Sequence, residues 1–492
     1  MAMIPWGDWK PDTSDYEGVS VHNVLNVVPR GDGYGPFPDF ASLTQAMPAA
    51  CRGSFYALKS DGSVVIFAGV SNKLYKLNNT DYSWTDVSLG AGTYGALSAT
   101  AQWQFAQFGN LVFATQANAV LQVFDLSSST AFAVCVGSPP QASYISVVGR
   151  FLVLSGLLSN PYRIQWSGLN ATTTWTSGVN SSDFQDFPDG GIVRGVAGGE
   201  FGIVFQDQAI RRMSYIPGST LIFQIERLSQ DMGLYAPYSI VRAGPSIYFY
   251  AGQGFYKISP QTITGAGGIQ QIGREKVDRS FLADLDKGNL QLFMGAADPR
   301  TTRIYWAYKS VSGATGTYDK ILGYDSALDR FFQLSMTGEY LLGISQTGIT
   351  LENLDTISAS IDALTISLDA YATAVQPQIA QFGSTHKLGF FTGSNLEATL
   401  ESAEQGTAGD EIYIDGFRPI TDAATVYGSV SWRQTQAASP TVGTEIAMNA
   451  RTGYCNLRRE ARYIRFKQRI PAGTAWTFAA GIEPSPDIGG KT

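Results

Sequence analysis

The clearest sign of this chain's fold is Tyr144-Ile145-Ser146-Val147-Val148-Gly149-Arg150-Phe151-Leu152-Val153-Leu154. Two apolar strands flank the tight turn Gly149-Arg150, and glycine favours such a turn because it accepts positive φ angles. The second strand is apolar at every position, which is typical of a strand covered on both faces. Hairpins of this kind recur from about Ser54 to Asp355, at intervals of about 41–51 residues.

The other copies keep the same order of strand, turn and strand. Their strands are Phe55–Leu58 with Val64–Ala68, Trp103–Phe108 with Leu111–Ala114, Ile192–Val196 with Phe201–Phe205, Ser239–Ala243 with Ser246–Tyr250, and, in a stretched sixth copy, Leu290–Met294, Arg303–Tyr308 and Lys320–Tyr324. A period near 45 residues with several strands is typical of propeller blades. Because one blade cannot bury both faces of its sheet, we expect the blades to stack around an axis as a rigid disc with a hole.

We therefore predict an all-β fold with a β-propeller of about six blades over residues 51–355. Five or seven blades are the alternative counts, and six is favoured over both. A large sandwich or barrel built from the same hairpins is the alternative architecture.

The two ends of the chain do not follow the repeat. Residues 1–50 are rich in proline and aromatic side chains, which predicts an extended arm packed along a surface, its own or a neighbour's. Residues 356–492 predict a C-terminal antiparallel β-domain similar to a small sandwich. Within it, Gly428–Arg433 and Ala461–Phe466 look like paired strands, while Ile357–Leu368 fits a strand or a short helix. Alternatively, part of this tail closes the propeller by adding a strand to the first blade.

Composition narrows the class of protein. The 492 residues include 53 Gly and only 15% charged residues, and the net charge is −7, so we expect no global attraction to nucleic acid. Three cysteines far apart predict neither zinc nor a disulfide framework and favour a reducing compartment. The first residues show no signal peptide, and no apolar run is long enough to predict a membrane span.

The sequence offers no clear reaction chemistry. His22 and His386 lie far apart, and no nucleophile elbow, phosphate loop or zinc-protease motif is present, so we expect no catalytic residues, no metal site, no cofactor and no enzyme activity. The serious alternative is a glycosidase or carbohydrate-binding propeller. Asn79–Trp84 and Asn170–Trp175 approach the Asp-box pattern of sialidases but lack its Asp–Gly spacing.

One basic cluster stands out near the C-terminus, with Arg451, Arg458, Arg459, Arg462, Arg465, Lys467 and Arg469 against Glu460 alone. Strand alternation places Ile464, Phe466 and Ile470 on one face, and Arg465, Lys467 and Arg469 on the other. Arg462, Arg465, Lys467 and Arg469 are therefore the candidate partner-facing or DNA-facing residues. A solvated edge charged to block unwanted strand pairing is the competing interpretation, and Arg211-Arg212 is a second, weaker basic pair.

Several segments, in order, resemble one known family. They are Asn23-Val24-Leu25-Asn26-Val27-Val28-Pro29, then Gly33-Tyr34-Gly35-Pro36-Phe37-Pro38, Val148-Gly149-Arg150-Phe151, Gly195-Val196-Ala197 with Phe201–Phe205, and the Arg-rich Arg458–Arg469. Together they look like the tail hub or nozzle proteins of short-tailed bacteriophages, also called packaged-DNA stabilisation proteins. The family has no catalytic motif, so no functional residues are carried over.

The resemblance implies a structural virion protein, assembled in the host bacterial cytoplasm. It implies a homo-oligomeric ring, a hexamer, that sits below the portal and adaptor and extends the DNA channel. Tail fibres, spikes or a needle would attach below the ring, and double-stranded DNA would pass through it without sequence preference. No membrane insertion is expected.

Overall fold

The computed structural model describes residues 3–14, 16, 18, 20–263, 268–346, 360, 376–406 and 411–487. Strands dominate these ranges, so the chain is all-β, as the sequence predicts. The helical elements in them are Pro260–Ile263 and Asp278–Asp284, with 3₁₀ turns at Leu89–Ala91, Pro237–Ser239 and Leu290–Leu292. In the described part of the chain, no helix has the length and apolar character needed to cross a membrane.

In the part of the chain that the structure describes, seven four-stranded antiparallel sheets form the blades, and in six of them the strands follow in chain order from one edge of the sheet to the other. Blade 1 contains the strands Ser54–Leu58, Val64–Gly69, Leu74–Leu77 and Trp84–Asp86, and blade 2 contains Gln104–Phe108, Leu111–Gln116, Ala119–Asp125 and Ala133–Val134. Blade 3 contains Ala142–Val148, Phe151–Leu157, Arg163–Trp166 and Asp183–Asp186, and blade 4 contains Val193–Ala197, Gly202–Gln206, Ile210–Tyr215 and Phe223–Ser229. Blade 5 contains the strands Val241–Ala243, Ser246–Tyr250, Phe255–Ile258 and Gln270–Gln271, and blade 6 contains Met294–Ala297, Arg303–Tyr308, Tyr318–Asp325 and Arg330–Gly338. Blade 7 contains Tyr340–Gln346, Gln376–Phe382, Leu388–Phe390 and Ala41–Ser42. The inner strand of blade 7 contacts that of blade 1, so the sheets close into a propeller.

The described residues form a propeller of seven blades, one more than the predicted count of about six. Blade 7 takes two strands from beyond the predicted boundary at residue 355 and its outermost strand, Ala41–Ser42, from the N-terminal arm. Its first two strands are separated by residues 347–375, so no short hairpin announces it in the sequence. The C-terminal segment therefore closes the propeller by supplying Gln376–Phe382 and Leu388–Phe390 to blade 7. The alternative, in which it adds a strand to the first blade, is wrong. The predicted element at Ile357–Leu368 lies outside the described residues.

The predicted hairpins are otherwise confirmed closely. Gly109 (φ 60°) and Gly149 (φ 55°) adopt the left-handed conformation in their turns, where a side chain would be strained. Two starts differ. In the fifth copy Ser239 belongs to the 3₁₀ turn Pro237–Ser239, and the strand begins at Val241. The start of the sixth copy differs more. Leu290–Leu292 forms a 3₁₀ turn, and the inner strand begins only at Met294, because Leu292 and Phe293 are buried in the core between blades 5 and 6 before the chain extends.

A sandwich of two sheets stands beside the propeller. One sheet has the order Val27–Arg30, Gly33–Pro36, Ala479–Asp487, Ile412–Thr421, Cys455–Ala461, with Ile4–Pro5 also on Ala479–Asp487. The other has the order Asn23–Leu25, Ala398–Glu401, Tyr463–Ile470, Tyr427–Arg433, Thr441–Val442, with Gln405–Gly406 on the third strand and Ile446–Ala447 on the fourth. The predicted strand pair is confirmed, since Val430 lies opposite Phe466.

The N-terminal segment is a structural part of this sandwich rather than an arm laid on a surface. It supplies strands to both sheets, and Trp6, Trp9 and Tyr34 are buried. One continuous apolar core runs from these residues to Tyr250 and Trp306 of blades 5 and 6. Burial on this scale holds the sandwich and the propeller together as one body.

Polar contacts strengthen the same junction. Asp8 pairs with Arg330 of blade 6 at 2.5 Å. Asp12 accepts hydrogen bonds from the N–H groups of Arg279 and Ser280, at 2.7 and 2.8 Å, at the start of the helix Asp278–Asp284. Carboxylate caps at a helix start satisfy backbone donors that have no partner within the helix.

Candidate functional site

The predicted basic strand lies in the middle of the seven-stranded sheet of the sandwich. Tyr463–Ile470 pairs with Ala398–Glu401 on one side and with Tyr427–Arg433 on the other. Its side chains alternate as the sequence predicts, with Ile464 and Phe466 buried between the sheets. Arg465, Lys467 and Arg469 therefore share the outer face of the sheet, where all three are partly buried.

Glutamates from neighbouring segments pair with Lys467 and Arg469. Arg469 contacts Glu445 at 2.7 Å and Glu397 at 2.8 Å, and its guanidinium lies 4.5 Å from the centre of the Tyr427 ring. Lys467 contacts Glu445 at 3.3 Å. Burial raises the pKa of the Glu445 carboxyl, but the hydrogen bonds from Arg469 and Lys467 outweigh it and hold the pKa below its usual value. Glu445 is therefore charged at neutral pH and cancels part of the basic face.

Arg462 stands apart from the other candidates. It occupies the corner where the chain leaves Cys455–Ala461 in one sheet and enters Tyr463–Ile470 in the other, and it is exposed. Its backbone N–H donates to Gln434 Oε1 at 3.3 Å. The structure thus brings Arg465, Lys467 and Arg469 together and leaves Arg462 at the rim.

The exposed edge of the sandwich carries further charge. Cys455–Ala461 is the last strand of its sheet, with Arg458 and Arg459 exposed. Arg458 lies 3.3 Å from Asp415, and Arg459 stacks 4.6 Å from the Trp432 ring. Charged side chains on an edge strand discourage unwanted strand pairing.

Sequence reasoning missed the glutamates that neutralise this surface. Glu397 and Glu404 come from one stretch of the chain and Glu445 from another, and neither stretch is part of the basic strand. Glu404 binds Arg433 through both carboxylate oxygens at 2.7 and 2.5 Å. No spacing in the sequence links them to the basic strand. The second basic pair is similar, since Arg211 binds Asp189 at 2.6 Å and Arg212 binds Glu226.

The propeller axis is narrow and lined by tyrosines. A cavity of about 230 Å³ lies between the inner strands, bordered by Tyr144, Tyr238 and Tyr340. The backbone N–H of Gln102 donates to the Tyr238 hydroxyl at 3.0 Å, and burial raises the pKa of Tyr238 to about 12, so this ring is neutral. The cavity has room for roughly seven water molecules. The expected central hole is therefore far too small for duplex DNA.

The two tryptophans of the Asp-box-like segments are structural. Trp175 is 4% exposed and packs between blades 2 and 3, and its Nε1–H donates to the carbonyl of Thr172 at 2.8 Å. Trp84 is half-buried and donates to the carbonyl of Gln45 at 3.0 Å. Each indole is therefore anchored by a hydrogen bond to the chain's own backbone.

The histidines lie in different environments. His22 is exposed on the sandwich side, whereas His386 Nδ1 lies 2.5 Å from the buried Glu339 carboxylate, whose other oxygen accepts the Cys51 N–H at 3.0 Å. This contact joins blade 7 to the chain entering blade 1. Among the described residues, no group of three or more metal-ligating side chains is close enough to hold an ion.

Comparisons with known proteins give structural neighbours only. No protein-family profile and no curated protein matches the chain. The solved structures it resembles include U3-55K, with 11% identity over 63% of this chain and 89% of that one and a TM-score of 0.39. The RRP9 WD40 repeats give 10% identity, 63% and 88% coverage and a TM-score of 0.39. YCF48 bound to a D1 peptide gives 12% identity over 60% of this chain and 86% of that one, with a TM-score of 0.35.

Proposed function

We propose that this chain is a structural virion protein of a short bacteriophage tail, a tail hub or nozzle. In this proposal it forms a ring below the portal and adaptor, extends the DNA channel and retains packaged DNA until infection. It acts without catalysis, and it is assembled in the host bacterial cytoplasm. Tail fibres, spikes or a needle attach to its lower side.

The observation that carries the proposal is the rigid join between sandwich and propeller. The two ends of the described chain, Ile4–Pro5 and Ala479–Asp487, pair in one sheet, and that sheet shares its core with blades 5 and 6. Because the described parts of the sandwich and the propeller share one core, force passes between them without bending at a linker, which suits a ring that must resist the pressure of packaged DNA. The sequence resemblance to tail hub proteins supports the same assignment.

The narrow propeller axis shapes the proposed assembly. Because the cavity bordered by Tyr144, Tyr238 and Tyr340 between the inner strands of one chain is only about 230 Å³, we place the DNA path among several copies rather than through one propeller. We propose six copies joined by a repeated head-to-tail contact, which closes into a ring when the rotation between neighbours is 60°. Each contact is expected to bury more than about 1,000 Å².

The ion pairs of Lys467 and Arg469 with Glu445 reduce the positive charge that this sandwich face could present to a DNA channel. If Lys467 and Arg469 face the DNA path, their shared Glu445 weakens their grip on phosphates. A weakly basic wall lets a duplex slide, whereas unpaired cations would hold it. The buried, unpaired thiols of Cys51, Cys135 and Cys455 fit assembly in a reducing cytoplasm.

Imaging and mass measurement test the proposal. Purified protein is examined by mass photometry over rising concentration, and infectious particles are examined by electron cryo-microscopy. We expect six-fold rings and density for the propeller beneath the portal. A chain that stays monomeric at every concentration and is absent from particle tails would contradict the assignment.

Carbohydrate recognition is a second candidate function, supported by a different observation. A pocket of mixed polar and apolar lining opens at one end of the propeller axis, bordered by Tyr144, Tyr235 and Tyr238. Such a pocket fits a receptor-binding role. A glycan array probed with the purified chain tests it, and the absence of any bound glycan would remove it.

A further inference from the structure

The pocket at the mouth of the axis is a site of suitable size for a small molecule. Its volume is about 510 Å³, and it lies on the face of the disc where the inner strands begin. Its wall includes Thr100, Tyr144, Arg194, Tyr235, Tyr238 and Lys287, from the segments around blades 2 to 6. Small-molecule sites commonly span about 300–1,000 Å³.

Arg194 is held in place with its outer edge unoccupied. Its Nε donates to Asp207 Oδ1 at 2.6 Å, and Asp207 Oδ2 accepts the Ile192 N–H at 3.0 Å. Within the described part of the chain, neither terminal guanidinium nitrogen of Arg194 has a hydrogen-bond partner. Two such nitrogens side by side match the two oxygens of a carboxylate.

Tyr144 and Lys287 add two further donors to the same pocket. Burial raises the pKa of Tyr144, so its hydroxyl keeps its proton, and that hydroxyl makes no hydrogen bond to another described residue. Lys287 is exposed and forms no ion pair with a described carboxylate. Since Asp207 cancels the charge of Arg194, Lys287 leaves the pocket with one net positive charge.

The remaining wall suits a hydroxylated ring. Tyr235 is 38% exposed and packs its edge against Tyr250, with ring centres 6.1 Å apart, which fixes the orientation of its exposed face. Aromatic faces pack well against the C–H groups of sugar rings. The Thr100 hydroxyl and the exposed Gln208 amide line the pocket and provide partners for ligand hydroxyls.

We propose that this pocket binds a sugar acid, with the carboxylate on Arg194, Tyr144 and Lys287 and the ring against Tyr235. The inference rests on the second candidate function and is independent of ring assembly. The same chemistry occurs in a free sugar acid and in the terminal acidic residue of a surface polysaccharide.

The experiment measures binding to the full chain by calorimetry and ligand-observed NMR. The probes are N-acetylneuraminate, its methyl glycoside, D-glucuronate and the neutral sugar D-glucose. We expect saturable binding of at least one acid, tighter than about 10 mM, and none of glucose. Binding of the methyl glycoside assigns the site to a terminal glycan residue, and binding of free acids alone assigns it to a soluble metabolite.

Matched variants separate the site from the fold. Arg194→Gln removes the carboxylate partner and is expected to weaken binding at least tenfold, and Tyr144→Phe about threefold to tenfold. Arg163→Gln is the control, because Arg163 Nε pairs with Asp186 Oδ1 at the same 2.6 Å but outside the pocket. It is expected to bind within twofold of the parent chain.

Three results would overturn the inference: no acid binds, glucose binds as well as the acids, or Arg194→Gln binds like the parent chain. Thermal unfolding of each variant shows that it is folded, and Arg194→Lys provides a charge-conserving substitute. Mass photometry on the same samples reports ring formation separately, so failure of the pocket and failure of the ring remain distinguishable.

Discussion

At the scale of single residues, the buried side chain of Gln468 lowers the stability of the sandwich core. Its side chain is 1% exposed on the buried face of Tyr463–Ile470, and neither amide atom has a partner among the described residues. A buried polar group without a hydrogen bond costs roughly 1–3 kcal/mol. Gln468→Met keeps the shape, so we expect the free energy of unfolding in urea to rise by about that amount.

Gln381→Met is the control for that prediction, with the opposite expected sign. Gln381 is equally buried, but its Oε1 accepts the Tyr318 hydroxyl at 2.6 Å, so losing the amide leaves a buried donor unpaired. We expect Gln381→Met to lower the stability. Equal effects of the two substitutions would contradict the explanation.

Asp278 makes the stability of the propeller depend on pH. Burial raises its pKa from 3.8 to about 6, against hydrogen bonds from the Phe255 N–H and the Gln271 amide. The folded state therefore binds this proton more tightly than the unfolded state. The resulting stabilisation is complete below pH 4 and is lost as the pH rises through 6, by about 3 kcal/mol in total.

Asp278→Asn removes that dependence. We expect the variant to be more stable than the parent chain at pH 8 and no more stable at pH 4, as measured by urea unfolding at both values. Asp286→Asn is the matched control, because the hydrogen bond from Lys309 lowers the pKa of Asp286 to about 2. That variant is expected to lose stability at neutral pH, and a shared sign would refute the assignment.

At the scale of elements, the outer face of the sandwich is held by ion pairs of unequal worth. Glu404 and Arg433 form a two-pronged pair whose side chains are 3% and 15% exposed. Glu404→Gln removes the buried carboxylate charge that pairs with Arg433, and we expect a loss of about 3 kcal/mol in the free energy of unfolding. In contrast, Arg418 and Glu483 are half-exposed at 3.6 Å, so Glu483→Gln is expected to change stability by less than about 1 kcal/mol.

Elements also show why part of the fold was predictable and part was not. Turns such as Gly149-Arg150 act over a few residues, so six blades could be read from local patterns. Blade 7 joins Ala41–Ser42 to Leu388–Phe390, a pairing set by the closed ring and not by any local signal. The face of Arg465, Lys467 and Arg469 followed from alternation, but Glu397 and Glu445 reach it only through strand pairing and loop placement.

At the scale of the whole molecule, residues 1–50 complete both parts of the fold. They supply the outer strand of blade 7 and strands to both sheets of the sandwich. We expect residues 51–492, expressed alone, to lose cooperative unfolding and to expose apolar core, as measured by near-ultraviolet circular dichroism and limited proteolysis. Addition of a peptide of residues 1–50 is expected to restore protection.

The control for that prediction is Val442→Ser, which alters an exposed edge residue that is 72% accessible and is expected to leave unfolding unchanged. A truncated chain that melts cooperatively at the parent temperature would contradict the role assigned to the first fifty residues. Peptide that fails to rescue a compact truncated chain would do the same.

The pairing of Ala41–Ser42 with Leu388–Phe390 also determines when blade 7 can form during synthesis. The first partner leaves the ribosome roughly 20–70 s before the second, at ordinary bacterial elongation speeds. During that interval the propeller of the nascent chain is incomplete, and the apolar faces that blade 7 will cover are exposed to other chains. Any transcript cut short before residue 388 would yield a product that never seals, and the cell's chaperones and proteases would meet it first.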